Sequence, residues 1–429
     1  MSSEGVLATT RRFVERLTEP TRILVAVSGG SDSTGLLLAL SKTVKPPHLL
    51  CAATIDHGLR ARSADEAEAV AALCQRLDIP HITLLWQGTK PKSGLSAAAR
   101  LARYRLLKQA ADHFAANLIV TAHTADDQDE TIAMRVARGA ASPRGGLSGM
   151  AEAVLYERAI WIARPFLGLR RMDIRAFLQA NAIEWIEDPS NADRHYERVR
   201  VRQALRASGP DAPLTDPCVL TRTDLARQAA FWVSTHASLH HGSVVRIARA
   251  AGQADLPVMN FALAGLVAVI GGKPDGVRGD ALARLCALFQ GGAAGRMTLG
   301  RVLAVLNRDG LFLVREGRGL PDPVTLAPGE ACVWDGRFHI CNENVFPVVI
   351  TRRDGACVRA EAGISPSLVR LGLSGLPSVR GCEGEMADGT GVFMALAPYD
   401  LFLPGFDLAF AEALAALLGL PPYLRPAFS

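Results

Sequence analysis

Apolar runs alternate with polar, glycine-rich breaks along the first third of the chain. RILVAV (22–27) ends at SGGSDS and continues as TGLLLAL, which predicts a strand, a tight loop and a helix. LLCAATIDHG (49–58) followed by ARSADEAEAVAALCQRL (61–77) predicts a second strand and helix. HITLLW (81–86) with LSAAARLARYRLLKQAADHF (95–114) predicts a third pair, and NLIVTAH (117–123) with ADDQDETIAMRVARG (125–139) a fourth. Such alternation implies a parallel sheet covered by helices, whose ligands bind beyond the carboxyl ends of the strands. The polar clusters SGGSDS, DHG and HTADDQDET all fall at that edge.

Residues 160–187 extend this region with a strand, a helix and a short strand. After the break SGPDAPLTDP (208–217), residues 221–240 and 276–309 read mostly helical. The last 120 or so residues carry short apolar runs (LFLV, ACVW, FPVVI) divided by Gly and Asp, which predicts a small β-containing tail. The expected division is therefore 1–210, 218–309 and 310–429.

Composition narrows the class. With 49% hydrophobic residues and 39 Gly and 24 Pro scattered without period, the 429 residues are neither fibrous nor disordered. Eight cysteines form no Cys-x-x-Cys pair, which fits a reducing cytoplasm and indicates neither a zinc knuckle nor a redox dithiol. FALAGLVAVIGG (261–272) is too short to span a bilayer and the first residues lack a secretory pattern, so no membrane role is expected. The net charge of +5 is uneven: residues 1–210 carry +6 and residues 211–429 carry −1. A basic N-terminal half suits a polyanionic substrate such as RNA or a nucleotide.

In SGGSDS, Gly29 and Gly30 can adopt positive φ and let backbone N–H groups approach a phosphate, while Ser28, Ser31 and Ser33 supply hydroxyls. A serine-glycine helix cap is the plainer alternative. Asp32 would repel a phosphate unless Mg²⁺ lies between them, so a metal-bridged triphosphate resolves the conflict. The loop lacks the Lys of a Walker A motif and the third glycine of a dinucleotide loop. In HTADDQDET, Asp126 and Glu130 share a helix face and Asp127 lies about 100° round. Asp127 can complete a magnesium site with Asp32, and His123 stands at the strand end; a solvated helix start is the alternative. Arg100 and Arg103 share a face of the third helix, with Arg105 beside them, and can hold a phosphate or carboxylate or simply face water. Asp56 and His57 either face the nucleotide or form a turn. EWIEDPSNAD (184–193), capped by Ser190 and Asn191, leads into RHYERVRVRQALR (194–206), where Arg198, Arg200, Arg202 and Arg206 contact RNA or solubilise a helix.

The ordered set SGGSDS, HTADDQDET, GGLSGM (145–150), ARPFLGLRR (163–171) and IEDPSN (186–191) resembles the bacterial tRNA(Ile)-lysidine synthetases, within the N-type ATP pyrophosphatase (PP-loop) group. The likeness is strong over roughly 20–210 and looser to about 310. It implies an α/β fold: a parallel-sheet, Rossmann-like PP-loop ATPase domain, then a helical tRNA-binding or substrate domain and a small β-containing C-terminal domain. It also implies ATP and Mg²⁺ as cofactors, an isoleucine tRNA with a CAU anticodon and free L-lysine as partners, and a homodimer. The implied reaction adenylates C2–O of the wobble cytidine, releases pyrophosphate, and lets the lysine ε-amine displace AMP. By resemblance Ser28–Ser33 form the ATP loop, Asp32 and Asp127 hold Mg²⁺, His123 and Glu130 belong to the same active-site motif, and ARLARYR places Arg103 near the nucleotide or cytidine. The basic helix after SNAD is implied to face RNA. The tail departs from the pattern, since VRGCEGEMADGTGV (379–392) lacks the basic density of a tRNA-gripping surface. A tRNA thiolase of the same group and a noncatalytic RNA-binding protein are the competing readings; the first needs a reactive cysteine or iron-sulfur cluster, the second no Asp32.

Overall fold

The computed structural model describes residues 3–59, 63–91, 93–137, 149–187, 200–202, 221–277, 279–354, 363–384 and 387–428. They form two compact units. The first draws on Met1–Ser142, Gly146–Cys218 and Leu424–Ser429, the second on Val219–Tyr423.

The first unit carries strands β1 (Arg22–Ala26), β2 (Leu49–Asp56), β3 (His81–Leu85), β4 (Leu118–Val120), β5 (Ala153–Tyr156) and β6 (Ile160–Ala163). Its helices are α1 (Ser3–Glu15), α2 (Ser31–Thr43), α3 (Ser63–Arg76), α4 (Leu95–Phe114), α5 (Ala125–Ala137) and α6 (Arg171–Ala180). Within the unit the sheet order is β5-β6-β4-β1-β2-β3, parallel except for β5 against β6. The interior stretches of β1 and β4, Ile23–Val25 and Leu118–Val120, are wholly buried. Burial on both faces is what a continuous apolar run in a parallel strand signifies. The expected strand and helix pairs are therefore present, whereas residues 183–187 are not a strand: Ile186 N donates to Gly29 O at 2.9 Å.

Two features position the site. β1 pairs with β2 on one side and β4 on the other, so the chain reverses its winding there and a crevice opens at the carboxyl ends of β1 and β4. Helices α2 and α6 pack tightly, because a Cβ on Gly35 would lie 2.3 Å from Ile174 Cγ2. The unit is closed by residues near the chain's end. Thr18 N donates to Ala427 O at 2.9 Å, Trp161 Nε1 to Leu424 O at 3.0 Å, and the Phe428 ring contacts Phe13 and Trp161.

The second unit begins with α7 (Arg222–His236), β7 (Ala237–His240), β8 (Val244–Ile247), α8 (Leu256–Gly271), α9 (Asp280–Gly291), β9 (Gly295–Leu299), β10 (Val302–Asn307) and β11 (Gly310–Arg315). The strands form an antiparallel sheet ordered β7-β8-β11-β10-β9. Strands thus occupy parts of 221–240 and 276–309 that read as helix. In β10 burial alternates strictly residue by residue, so the period of two outweighs the helix propensity of its Leu and Ala.

Beyond β11 come β12 (Val324–Leu326), β13 (Ala331–Trp334), β14 (Phe338–Asn342), β15 (Val348–Arg352), α10 (Pro366–Ser374), β16 (Pro377–Gly381), β17 (Thr390–Met394) and α11 (Leu408–Leu417). Sheets β12-β15-β16 and β13-β14-β17 share a core of Trp334, Phe338, Ile340, Val348 and Ile350. Of the tail's apolar runs, LFLV lies in β11, ACVW is β13 and FPVVI runs into β15. Helix α11 returns to α7, and Arg222 forks onto the buried Asp407 at 2.7 and 2.8 Å. No helix among the described residues is long and apolar enough to cross a membrane.

Asp335 and Gly336 turn β13 into β14 with positive φ at both positions, and a Cβ on Gly336 would lie 2.5 Å from Gly272 O at the end of α8. The buried Asp335 carboxylate accepts from Arg301, from Arg315 at 2.9 and 3.0 Å, and from Arg337 at 2.7 Å. Arg315 also donates to the carbonyls of Arg301, Glu316, Arg318 and Gly319, and Arg337 to that of Gly375. Burial pushes the Arg337 pKa down to about 10, which leaves it charged at neutral pH.

Candidate active site

The loop after β1 is held open by its own hydroxyls. Ser28 N donates to Ser33 Oγ at 3.1 Å, Ser33 Oγ to Gly30 O at 3.1 Å, and Thr34 Oγ1 to Gly29 O at 3.2 Å. Gly29 has φ of 83°, and a Cβ there would meet Ile186 Cδ1 at 2.6 Å. Gly30 instead takes an extended conformation that any residue adopts and caps α2 without a side-chain hydrogen bond. The first N–H groups of α2 are therefore open to an anion.

Asp127 is fixed by the opposite lip of the crevice. Its Oδ2 accepts from Thr124 N at 2.8 Å and Thr124 Oγ1 at 2.9 Å, a reach-back that caps α5. That commits one oxygen to structure and leaves Oδ1, 3.5 Å from an Arg171 Nη, toward the loop. Arg171 Nε donates to Asp32 Oδ2 at 2.8 Å. One guanidinium thus joins the two carboxylates expected to share a cation. The backbone N–H of Arg171, at the start of α6, donates to Asp126 Oδ2 at 2.9 Å. Burial pushes the Asp32 pKa up, more than Arg171 returns it, and the neighbouring Asp127 adds to the rise. Burial opposes the Arg171 charge too, but Asp32, Asp127 and Asp126 together outweigh it and raise its pKa.

Glu130 is 2% exposed and accepts from Arg202 Nε at 2.6 Å and Nη2 at 3.4 Å. Arg202, read from sequence as an RNA contact or a solubilising charge, is therefore the partner of a buried carboxylate. His123 pairs its Nδ1 with Thr121 Oγ1 at 3.0 Å. Arg103 is exposed on α4; its charge reaches His57, whose pKa is lowered first by burial and then by Arg103. The His57 ring meets Trp86 edge-on at 5.9 Å, and its buried Nδ1 has no hydrogen-bond partner. Asp56 Oδ1 accepts from Gly58 N at 2.7 Å, which is the turn expected of DHG as the alternative. Arg100 lies over the Tyr104 ring at 4.9 Å.

The fold brings Asp32, Asp127 and the Ser28–Ser33 loop together; Asp56, His57 and Arg103 form a second group, around β2 and α4. Sequence reasoning passed over Arg171, although it is the last residue of ARPFLGLRR. It also passed over Gln128, which donates to Met150 O at 3.0 Å and accepts from Met150 N at 2.5 Å, tying GGLSGM to α5. Arg198, Arg206, Ser190, Asn191 and Tyr196 lie outside the described residues, as do residues 145–148 and 188–191 of two motifs.

The carboxylate and hydroxyl donors at the loop suit a hard divalent cation. Among the described residues no group of three or more His, Cys, Asp or Glu is arranged to hold a metal. Two carboxylates with substrate phosphates and water are the usual means of holding Mg²⁺, so the residues fit. In the second unit, Arg352, Arg353 and Arg370 line an open surface depression with Asp354, Ser367, Leu371 and Ser374. This basic surface lies outside residues 379–392, where the sequence reading looked for it.

The PP-loop domain family model matches residues 5–208. The tRNA(Ile)-lysidine synthase of Rhizobium meliloti (strain 1021) is 40% identical over 98% of this chain and 97% of its own. That of Mesorhizobium japonicum is 41% identical over 93% and 92%, and that of Brucella canis 37% identical over 92% and 94%.

Proposed function

This chain belongs to the tRNA(Ile)-lysidine synthase family, and from that premise we propose that it joins L-lysine to C2 of the wobble cytidine of an isoleucine tRNA with a CAU anticodon. ATP is consumed to AMP and pyrophosphate. The observation that carries this reading is the convergence of Asp32 and Asp127 on one positive charge beside an uncapped helix N-terminus at the β1/β4 crevice.

Residues 1–210 carry the chemistry in this reading. The N–H groups that open α2, with Ser28, Ser31 and Ser33, hold the polyphosphate. Asp32 and Asp127 hold Mg²⁺, which supplies neutralisation of the charge developing on pyrophosphate. The cytosine C2 oxygen attacks the α-phosphorus and the bond to pyrophosphate breaks; the lysine ε-nitrogen then attacks C2, AMP departs with the oxygen, and the amine loses its proton. Glu130, forked by Arg202, serves to position that arginine. His57 and Arg103 form the nucleotide or cytidine end of the pocket. Residues 218–309 and 310–429 hold the tRNA, with Arg352, Arg353 and Arg370 as phosphate contacts. The cytoplasm and a homodimeric state complete the proposal.

A thiolase of the same group would need a reactive thiol. The described cysteines of the first unit, Cys51 and Cys74, are buried, and burial pushes their thiols up to about 12 and about 11, away from the thiolate a persulfide carrier requires; the exposed Cys382 lies in the second unit. The test is incubation of the chain with ATP, Mg²⁺, lysine and unmodified isoleucine tRNA, then mass analysis of the nucleosides. A lysine-sized gain at the wobble cytidine is expected. Sulfur incorporation, or no lysine-dependent product, overturns the reading.

A further inference from the structure

Arg171 occupies the position between Asp32 and Asp127 that the proposed Mg²⁺ would take. Its backbone is pinned by Asp126, and the close contact of Gly35 with Ile174 sets α6 against α2, so the side chain enters the crevice from a fixed root. The guanidinium itself is held only by carboxylates: among the described residues no backbone carbonyl accepts from it. Arg175, one turn further along α6, brings its Nε to 3.5 Å from Ser31 Oγ, so this helix faces the phosphate loop as well as the acidic pair.

Resting on the reading of Asp32 and Asp127 as metal ligands, we infer that Arg171 is a placeholder cation, a positioning residue that keeps the two carboxylates converged and yields them when metal and nucleotide arrive together. Without Arg171, two carboxylates approaching each other in a partly buried crevice repel. With it, they are preorganised at the cost of competition, since guanidinium and divalent ion seek the same oxygens. Metal alone must displace the arginine toward Asp126, whose carboxylate is already engaged by the Arg171 backbone N–H. Metal with nucleotide does not, because the polyphosphate beside α2 accepts the released guanidinium in fork geometry. The consequence is positive coupling: each of metal and nucleotide binds better in the presence of the other.

The measurement is Mn²⁺ binding to the full chain by electron paramagnetic resonance, alone and with the α,β-methylene analogue of ATP, which cannot release pyrophosphate. Arg171→Ala should tighten Mn²⁺ binding alone on the order of tenfold, by removing one competing unit charge. It should weaken the analogue at saturating Mn²⁺ and shrink the coupling between the two. Arg171→Lys, a point charge without the fork, should retain competition and recover only part of the coupling. Should the alanine variant not fold, Arg171→Gln takes its place with the same expected direction.

If a folded Arg171→Ala or Arg171→Gln binds Mn²⁺ alone no better than the parent, the placeholder role is overturned. Asp32→Asn separates this from failure of the ligand reading. If that variant binds Mn²⁺ with the analogue as the parent does, the assignment of Asp32 is wrong; if it loses Mn²⁺ while Arg171→Ala gains nothing, only the placeholder falls.

Discussion

Each unit has an aspartate gripped by arginine, and the two arrangements are opposites. In the second unit one buried carboxylate, Asp335, serves Arg301, Arg315 and Arg337, and the spare donors of Arg315 and Arg337 end on carbonyls. In the first, one arginine serves Asp32 and Asp127 and meets no carbonyl among the described residues, and all three side chains retain some exposure. The Asp335 knot is saturated in hydrogen bonds, and it ties the β13–β14 turn to the turn between β9 and β10. The Asp32 site has an excess of anion and an accessible approach. Charge alone does not distinguish structure from chemistry, but the fate of the spare donors does.

The largest effect expected from this contrast is on catalysis. Asp32→Asn should lower ATP-dependent pyrophosphate release by roughly a thousandfold or more, by removing a proposed ligand of the Mg²⁺ that would neutralise the departing pyrophosphate. Arg171 keeps Asp127, so the melting temperature should move by no more than about 3 °C and tRNA binding should persist. Loss of activity and binding in parallel would make Asp32 structural.

Asp335→Ala should do the reverse, leaving the buried guanidiniums of Arg315 and Arg337, and the partly exposed one of Arg301, without their carboxylate. A destabilisation of about 3–5 kcal/mol is expected in urea titration followed by circular dichroism. A variant that melts like the parent would refute the saturated-knot description.

The smallest effect sharpens the comparison. Gly35→Ala leaves every charge in place but drives a methyl into Ile174. A stability loss of about 1–3 kcal/mol should accompany tighter Mn²⁺ binding without nucleotide, because the same contact aims the competing Arg171. Intact Mn²⁺ binding at reduced stability would show that the root of α6 tolerates displacement.

Much of the first unit was legible because its signals are local. A run such as RILVAV fixes a buried strand, SGGSDS a loop and helix start, and the order of strands then carries HTADDQDET to the same edge. Arg171 was not legible, since it meets Asp32 across 139 positions and only the packing of α6 on α2 unites them. One signal was present: an isolated glycine inside TGLLLAL marks a close approach, although not by what. Arg202 misled for a related reason, because density of charge in RVRVRQ says nothing of a buried Glu130 waiting elsewhere. In the second unit β9 and β10 hid in residues that favour helices, and their identity rests on pairing with β11 and with each other.

The residues that seal the first unit follow the whole of the second. Leu424, Ala427 and Phe428 dock beside Trp161, Thr18 and Phe13, so α1 is covered only after the second unit has been synthesised. Maturation of the first unit is thereby coupled to synthesis of the second, and a nascent chain stalled before Leu424 would present an unfinished hydrophobic seam to chaperones and proteases.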